Sequence, residues 1–160
     1  MKKLIVLPLL LLTVIAFSQN WTSEEKEIIQ RVETGWSSWQ DAVNNKDYSI
    51  WLNAVDPADE WRCWWTTDGA LWSTKDTKRN FEFLIKDIVQ YQWIHVKPIG
   101  VQIHDDVAFI WFYATTAIED KDGNTNTAEE KRFEVYRKID GKWRWSAGMA
   151  DAKARENLIE

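Results

Sequence analysis

His95 and His104 are the two histidines of this sequence, and histidine is the residue type that most often serves as a general acid or base. General acid–base catalysis also needs a positioned partner within hydrogen-bond reach. The two histidines lie nine positions apart in one predicted strand, and no nucleophile motif accompanies either of them. A lone histidine on a strand is more often a surface or packing residue, so His95 is only a weak catalytic candidate.

An acidic cluster and a single cysteine offer little more chemistry. Asp56, Asp59 and Glu60 could bind a cation or protonate a substrate, although a solvated loop is the commoner role for such residues. Cys63 is the only cysteine, which excludes an intrachain disulfide, and its apolar surroundings predict a buried thiol. With two histidines and one cysteine we predict no metal site of the zinc type and no cofactor, while a site of carboxylates alone stays open.

Twelve tryptophans are the unusual feature of the composition. Indole faces bind sugars, sterols and other planar rings, so an aromatic pocket is one interpretation; a tryptophan-packed core with little cavity is the other. Trp64 and Trp65 are adjacent in a predicted strand and must point to opposite faces. Three further tryptophans fall on helix faces that we expect to turn toward the sheet: Trp36, Trp39 and Trp51.

The N-terminus is typical of a secretory signal. Lys2 and Lys3 precede an apolar run at residues 4–17, and small residues at Ala16 and Ser18 suit cleavage before Gln19. The run is too short for a membrane span, which needs about 20 residues. We therefore expect residues 1–18 to be a signal peptide, the protein to be exported (periplasmic or secreted), and no stable membrane insertion once the signal is removed.

The remaining chain has the composition of one globular domain. Hydrophobic residues make up 45% of the 160, which excludes a disordered tail. Removing the signal takes away two lysines and no acids, which leaves 18 basic and 25 acidic residues and a net charge of −7. An acidic surface repels phosphate backbones, so we expect no nucleic-acid partner.

Apolar periodicity predicts three helices in the N-terminal half. The first spans residues 21–45 with one apolar stripe, and Thr22 with Glu25 forms a capping box at its start. A shorter helix follows the cap residue Asp47, and a third is capped near Thr74 or Asp76 and extends its apolar face to residue 88.

The strands predict a curved sheet. A short strand at residues 61–67 precedes an Asp68-Gly69 turn, and a β-meander occupies residues 93–104, 107–119, 130–139 and 142–149. Pro98 and Gly100 indicate a bend in the first of these four strands. Residues 150–160 are predicted to form a weakly held helix.

Residues 107–118 are largely apolar at both the odd and the even positions, so we predict that both faces of this strand are buried. The helices can cover one face. A second copy of the chain is the economical cover for the other, which predicts a homodimer through the outer sheet face. The alternative is that the C-terminal helix folds back over it.

This order of elements resembles the nuclear transport factor 2-like superfamily, and within it the SnoaL-like proteins. The resemblance covers residues 25–149 and is carried by these segments: Trp39 with Asn45-Lys46-Asp47, Trp51, Thr67-Asp68-Gly69, residues 96–103, residues 106–108 and residues 135–143. It implies an α+β fold for residues 19–160: a cone-shaped, curved antiparallel sheet with three helices from the N-terminal half enclosing a pocket, commonly dimeric through the outer face of the sheet.

The resemblance extends distantly to ketosteroid isomerase. In that enzyme a carboxylate shuttles a proton, while a tyrosine and a protonated aspartate hold the enolate oxygen. The resemblance places Trp39 at the tyrosine position, Thr66 at the proton-shuttling position and Glu134 near the protonated aspartate. Since threonine is no general base, isomerase chemistry of this type is disfavoured. If Thr66 faces the cavity, Arg62 and Trp64 line it, and Trp65 points outward with Trp61.

The sequence thus predicts an exported protein that binds a small apolar or aromatic molecule without catalysing a reaction. The expected ligand-binding residues are Trp39, Trp51, Arg62, Trp64, Thr66, Glu134 and Tyr136. Two alternatives remain. One is an isomerase or hydro-lyase that uses Glu134 as acid or base with Arg62 or His95, and the other is a dimerisation or association domain.

Overall fold

The computed structural model describes residues 20–66 and 69–155. Three helices and six strands follow in chain order: α1 Ser23–Asn45, α2 Tyr48–Val55, β1 Arg62–Trp65, β2 Ala70–Trp72, α3 Thr74–Leu84, β3 Ile88–His104, β4 Val107–Asp120, β5 Thr125–Ile139 and β6 Lys142–Arg155. The predicted signal peptide and the first residue of the predicted Asp68-Gly69 turn lie outside the described residues.

The caps that begin the first two helices follow from the sequence. The Thr22 hydroxyl accepts a hydrogen bond from the Glu25 amide at 3.2 Å, and the Glu25 carboxylate accepts one from the Thr22 amide at 2.7 Å. This reciprocal pair is the predicted capping box. Asp47 is the N-cap of α2, also as predicted, and its carboxylate accepts a hydrogen bond from the Ser49 amide at 2.9 Å.

The third helix begins and ends differently from the expectation. Ser73 is its N-cap, where the sequence suggested Thr74 or Asp76, and Asp76 is the reciprocal partner whose carboxylate accepts the Ser73 amide at 2.9 Å. Ile88 was expected on the apolar face of this helix but is the first residue of β3. The helix ends at Leu84, four residues before Ile88, and residues 85–87 form a turn that leads into the strand.

The six strands form one curved, unclosed sheet in the order β2-β1-β6-β5-β4-β3. All neighbouring strands are antiparallel except β1 and β6, which are parallel. Register shifts interrupt the β3–β4 ladder, one of them between Pro98 and Gly100, where the sequence predicted a bend. Such irregularities increase local twist and bend a strand, so they support the curvature that makes room for the helices. The α+β fold with helices in the N-terminal half is as predicted.

The predicted C-terminal helix is wrong through residue 155. Strand β6 continues to Arg155, which pairs with Thr127 at the start of β5. Ala150 lies opposite both Arg132 of β5 and Trp65 of β1, so this part of β6 occupies the middle of the sheet. Beyond Ala150 the backbone partners come from β5 alone, and this continuous pairing favours an extended conformation over the helical preference of an alanine-rich segment. Residues 156–160 lie outside the described part of the chain.

Helix α1 is pinned across the concave face of the sheet by side chains that bind the backbone of β3. Asn44 donates to the Tyr91 carbonyl at 3.0 Å and accepts from the Tyr91 amide at 2.8 Å. Gln40 accepts from the Trp93 amide at 2.8 Å. These bonds satisfy backbone groups next to a register shift, and they hold the helix at a fixed position over the sheet.

The two faces of the central strand β4 differ in burial. Ala108, Ile110 and Phe112 face the helices and are buried. The alternate residues lie on the outer face, where Trp111 keeps 37% of its surface exposed and Phe109 is half-buried. Both faces of β4 are apolar, as the sequence showed, but within the single chain only the face toward the helices is buried.

A candidate ligand-binding cavity

A cavity of about 180 Å³ lies between the helices and the concave face of the sheet. Seven of the residues that line it are tryptophans: Trp36, Trp39, Trp51, Trp61, Trp65, Trp72 and Trp145. Several meet edge to face, with ring centroids 5.5 Å apart for Trp39 and Trp51 and 4.8 Å apart for Trp61 and Trp145. Edge-to-face packing fixes ring orientations. The indoles therefore wall a space instead of filling it.

A row of polar side chains from β5 crosses this aromatic cavity. Glu130, Arg132, Glu134 and Tyr136 are alternate residues of the strand, so all four point into the cavity. The Arg132 Nε atom lies 3.5 Å from Glu130 Oε2 and 3.7 Å from Glu134 Oε1. The Tyr136 hydroxyl donates a hydrogen bond of 2.9 Å to Glu134 Oε2. One guanidinium is thus shared by two carboxyl groups.

Three indoles hold the guanidinium of Arg132. Its central carbon lies 5.1 Å from the ring centres of both Trp36 and Trp65, and 5.8 Å from that of Trp145. The faces of these rings attract a cation electrostatically, and the attraction is strongest where water is excluded. The Arg132 side chain is only 9% exposed. The aromatic contacts and the two carboxyl groups together allow a charged side chain to remain in an otherwise apolar wall.

Burial dominates the titration of the carboxyl groups. It raises the pKa of Glu134 to about 7, although Arg132 and the Tyr136 hydroxyl favour the charged form. Burial also raises the pKa of Glu130, against the opposing influence of Arg132. For Arg132, burial disfavours the charge, but the neighbouring Glu130 and Glu134 raise the pKa above its usual value. The arginine is therefore charged at neutral pH, and Glu134 is partly protonated.

Other titratable groups of the cavity are neutral at neutral pH. Burial raises the pKa of the Cys63 thiol to about 11 and raises that of Tyr91 above its usual range. Burial and the neighbouring Glu134 likewise raise the pKa of Tyr136. The β5 row therefore provides the charges of this site, and Cys63 behaves as the buried hydrophobe that the sequence predicted.

Several polar atoms of the cavity wall are buried and unsatisfied. Among the described residues, Glu130 Oε2, Arg132 Nε and Nη1, and Trp61 Nε1 have no hydrogen-bond partner. Most buried polar groups in folded proteins are hydrogen-bonded, and the exceptions need an explanation. A bound molecule or ordered water in the cavity would supply the missing partners.

The structure brings four of the seven predicted ligand-binding residues together and leaves three outside. Trp39, Trp51, Glu134 and Tyr136 line the cavity. The other three, Arg62, Trp64 and Thr66, are exposed and are not part of its lining. The Arg62 guanidinium donates to the carbonyl of Trp61, and the Thr66 hydroxyl donates to the Asp151 carboxylate at 2.8 Å.

The predicted facing of β1 is therefore the reverse of the observed one. Cys63 and Trp65 point into the cavity, and Trp61 lines it just before the strand, whereas Trp64 points outward with 54% of its surface exposed. The odd-numbered residues Trp61, Cys63 and Trp65 are all apolar. The even-numbered residues between and after them include an arginine and a threonine. Burying the apolar set removes more apolar surface from water and needs no partner for a second buried cation.

The remaining catalytic and acidic candidates lie away from the cavity. His95 is exposed on β3, 3.5 Å from the Thr115 hydroxyl, so it is not beside Glu134. Asp56 pairs with Arg144 at 3.3 Å, and Glu60 pairs with Arg137. Within residues 20–66 and 69–155, no group of three or more histidine, cysteine or acidic residues could hold a metal ion. No helix in these ranges is long and apolar enough to cross a membrane.

Sequence reasoning missed the residues at the centre of the site, Glu130 and Arg132. Their signal was present as a period-two row with Glu134 and Tyr136, in a segment predicted to be a strand. Alternating charges on a strand usually mark its solvated face, and the same segment carries the apolar alternates Phe133 and Val135. Glu134 and Tyr136 were predicted on the cavity side, but the local pattern gave no reason to bury the charges of Glu130 and Arg132 beside them.

The comparisons with known proteins agree with this fold. Solved structures similar to the chain include the association domain of calcium/calmodulin dependent protein kinase II from Caenorhabditis elegans, with a TM-score of 0.56 and 18% identity over 79% of this chain and 94% of that one. A putative association domain of the same kind from Xanthomonas campestris has a TM-score of 0.58 and 18% identity, over 79% and 89% of the two chains.

A putative dehydratase of the nuclear transport factor 2-like family from Streptomyces avermitilis has a TM-score of 0.55 and 14% identity, over 78% of this chain and 95% of that one. No curated protein matches the sequence. The sequence profile of the calcium/calmodulin dependent protein kinase II association domain matches residues 24–146. The chain belongs to this association-domain family, within the nuclear transport factor 2-like superfamily that its order of elements predicted.

Proposed function

We propose that this protein is an exported, homodimeric domain that binds a small, ring-shaped and largely apolar molecule in its cavity. The observation that carries the proposal is the space of about 180 Å³ walled by seven indoles and provided with unsatisfied polar atoms. Ligand pockets are typically apolar clefts with a few placed polar groups, and this cavity has that character.

The volume of the cavity limits the size of its ligand. An apolar cavity of about 150 Å³ holds one benzene molecule. A space of about 180 Å³ therefore suits a single substituted ring or a small fused pair, and it is too small for a four-ring sterol.

Binding is tested with a series of rings of increasing size. Benzyl alcohol, indole and a sterol are titrated against the mature protein, with tryptophan fluorescence and thermal shift as readouts. We expect the two small rings to change the emission and raise the melting temperature, because the lining indoles contact the ligand, and we expect no response to the sterol. The absence of any response to the small rings would contradict the proposal.

Position 35 offers a matched pair of variants. Gly35 lines the cavity, and a Cβ atom there would meet only the Val55 Cγ2 atom, at 3.6 Å, among its described neighbours. Gly35→Ala adds one methyl group and should retain most binding, whereas Gly35→Leu should abolish it by occupying the space. Equal binding by both variants would show that the ligand occupies another site. If Gly35→Leu does not fold, Ala128→Leu introduces the same group from β5.

A second candidate function is acid–base catalysis by Glu134, as an isomerase or hydro-lyase. It is favoured by a carboxyl group whose pKa lies near 7 inside the cavity, hydrogen-bonded to Tyr136 and adjacent to Arg132. Such a pKa suits proton transfer at neutral pH. The test is exchange of α-protons of small cyclic ketones in deuterated water, followed by NMR. Exchange that is lost in Glu134→Gln would support catalysis, and its absence in the wild-type protein would exclude this reaction for these ketones.

Association through the outer face of the sheet is supported by a row of apolar side chains. The outer row takes one residue from each of five adjacent strands in register: Leu71, Trp64, Met149, Phe133 and Trp111. Four of the five are more than a third exposed. Large exposed apolar patches mark interaction sites, and two copies of the same patch can pair about a two-fold axis. The association-domain family of the chain also favours an oligomer.

Export is supported by the N-terminal sequence alone. The experiment is expression of the full chain with its native N-terminus, followed by fractionation and mass spectrometry. We expect the mature protein to begin at Gln19 and to appear outside the cytoplasm. An intact N-terminus in the cytoplasmic fraction would contradict this part of the proposal.

A further inference from the structure

We infer that the cavity selects small rings carrying a cationic amine and discriminates against rings of the same size carrying a carboxylate. The inference rests on the proposed binding function and adds the charge of the ligand to it. It starts from the β5 row, in which two carboxyl groups, Glu130 and Glu134, flank a single guanidinium, that of Arg132.

The positive charge of the cavity is already compensated. Arg132 lies within 3.7 Å of both carboxyl groups, and its face is covered by three indoles. A ligand carboxylate would add a third acidic group around this one cation, in a space where like charges interact strongly because water is largely excluded. An amine would instead balance the surplus carboxyl group.

An acceptor for that amine is present. Glu130 is 9% exposed, it lines the cavity, and its Oε2 atom makes no hydrogen bond in the described structure, although it lies 3.5 Å from Arg132 Nε as an ion pair. Four lining indoles, Trp39, Trp51, Trp61 and Trp72, are not among those that hold Arg132 and can surround the ring and its cation. An ammonium group can donate hydrogen bonds to Glu130. It carries no acceptor atoms, which the two carboxyl groups already provide.

The unsatisfied donors of the cavity do not reverse this preference. Arg132 Nε and Nη1 and Trp61 Nε1 would donate hydrogen bonds to an oxygen atom of a ligand or of a water molecule. A water molecule or a neutral hydroxyl satisfies such donors without adding negative charge. The donors therefore favour an oxygen, while the two carboxyl groups disfavour an anion.

The same geometry predicts opposite proton exchange for the two kinds of ligand. Burial gives Glu134 a pKa of about 7, so the group is partly protonated in the free protein. An ammonium ligand stabilises its charged form and releases protons, whereas a carboxylate ligand promotes protonation and takes protons up. The other titratable side chains around the row are Cys63 from β1, Tyr91 from β3, Tyr136 from β5 and, near Tyr136, Arg31 from α1.

Three probes with the same ring separate the outcomes: benzylamine, benzyl alcohol and benzoate. Isothermal titration of the mature protein at pH 7, in phosphate and in Tris, gives both the affinity and the number of protons exchanged. We expect benzylamine to bind at least about tenfold more tightly than benzoate and to release protons. Benzoate binding as tightly as benzylamine, or proton uptake with benzylamine, would overturn the inference and leave the proposed binding function intact.

The variant Glu130→Gln tests the assigned acceptor, with Glu82→Gln on the exposed surface of α3 as the matched control. We expect Glu130→Gln to lose about tenfold in benzylamine affinity with benzyl alcohol unchanged, and the control to alter neither. Unchanged benzylamine binding in Glu130→Gln would refute the role of Glu130. If the variant does not fold, proton release by the wild-type protein decides the inference. If none of the three probes binds, the proposed binding function itself fails.

Discussion

Replacing Glu134 with glutamine should change how the stability of the protein depends on pH. Burial raises the pKa of this carboxyl from 4.5 to about 7, so the folded protein holds a proton that the unfolded chain releases above pH 4.5. The contribution of the group is fully present below pH 4.5 and is lost as the pH rises through 7. Glutamine resembles the protonated acid in shape, can still accept the Tyr136 hydrogen bond, and does not titrate.

The size of the effect follows from the two pKa values. A carboxyl that titrates at 4.5 when unfolded and near 7 when folded makes folding about 3 kcal/mol less favourable at pH 8 than at pH 4. We therefore expect the free energy of unfolding of Glu134→Gln, relative to wild type, to rise by about 3 kcal/mol over this range. Hydrogen bonds lower the pKa values of Asp47, Asp76 and Asp120, which titrate below this window and are common to both proteins.

The assay is urea unfolding followed by tryptophan fluorescence at several pH values between 4 and 8. Protein concentration is held constant, because association would make the apparent stability depend on it. Glu82→Gln, in which the lost carboxylate is exposed and pairs with Lys78, is the control and should run parallel to wild type. If the free energy of unfolding depends on pH in the same way for wild type and Glu134→Gln, Glu134 does not hold a proton in the folded protein and the reasoning is refuted.

Three further changes test other parts of the structure. Arg132→Met leaves two buried carboxyl groups without their cation and should cost about 3–5 kcal/mol at pH 8 and less at pH 5, where these groups can protonate; urea midpoints at the two pH values measure it. Gly35→Ala should stabilise the protein by about 1 kcal/mol, seen as a higher melting temperature, because alanine favours a helix and its Cβ finds only ordinary contact with Val55 at 3.6 Å among the described residues. Trp111→Glu introduces a charge into the outer row and should convert the proposed dimer to a monomer in light scattering, whereas Lys78→Glu on α3 should not.

Much of the fold could be predicted because its local signals are strong. The capping box at Thr22 and the cap at Asp47 set the helix starts, and the apolar stripe of α1 identifies the face that packs on the sheet. Pro98 and Gly100 mark a register shift in β3. Each of these features depends on residues close together in the chain, which is why a single sequence reveals them.

The features that could not be predicted depend on distant partners. The segment after residue 150 is extended because β5 pairs with it as far as Arg155, which lies opposite Thr127, while β1 pairs with β6 only as far as Ala150. The facing of β1 depends on its parallel pairing with β6, which aligns Cys63 with Gly148 and Trp65 with Ala150. The sequence has no local signal for a parallel partner more than eighty residues away.

Strand β5 connects the cavity to the outer face of the sheet. It buries Glu130 and Glu134 with Arg132 and places Phe133 and Val135, its apolar alternates, on the outer face. A strand in a water-soluble monomer would gain stability from the opposite arrangement, since burying charge is costly and exposed apolar groups contribute nothing. Departures of this kind from local rules are expected at functional sites. The inverted pattern of this one strand therefore supports both parts of the proposed function, a polar wall for a bound molecule on the concave side and an association surface on the other.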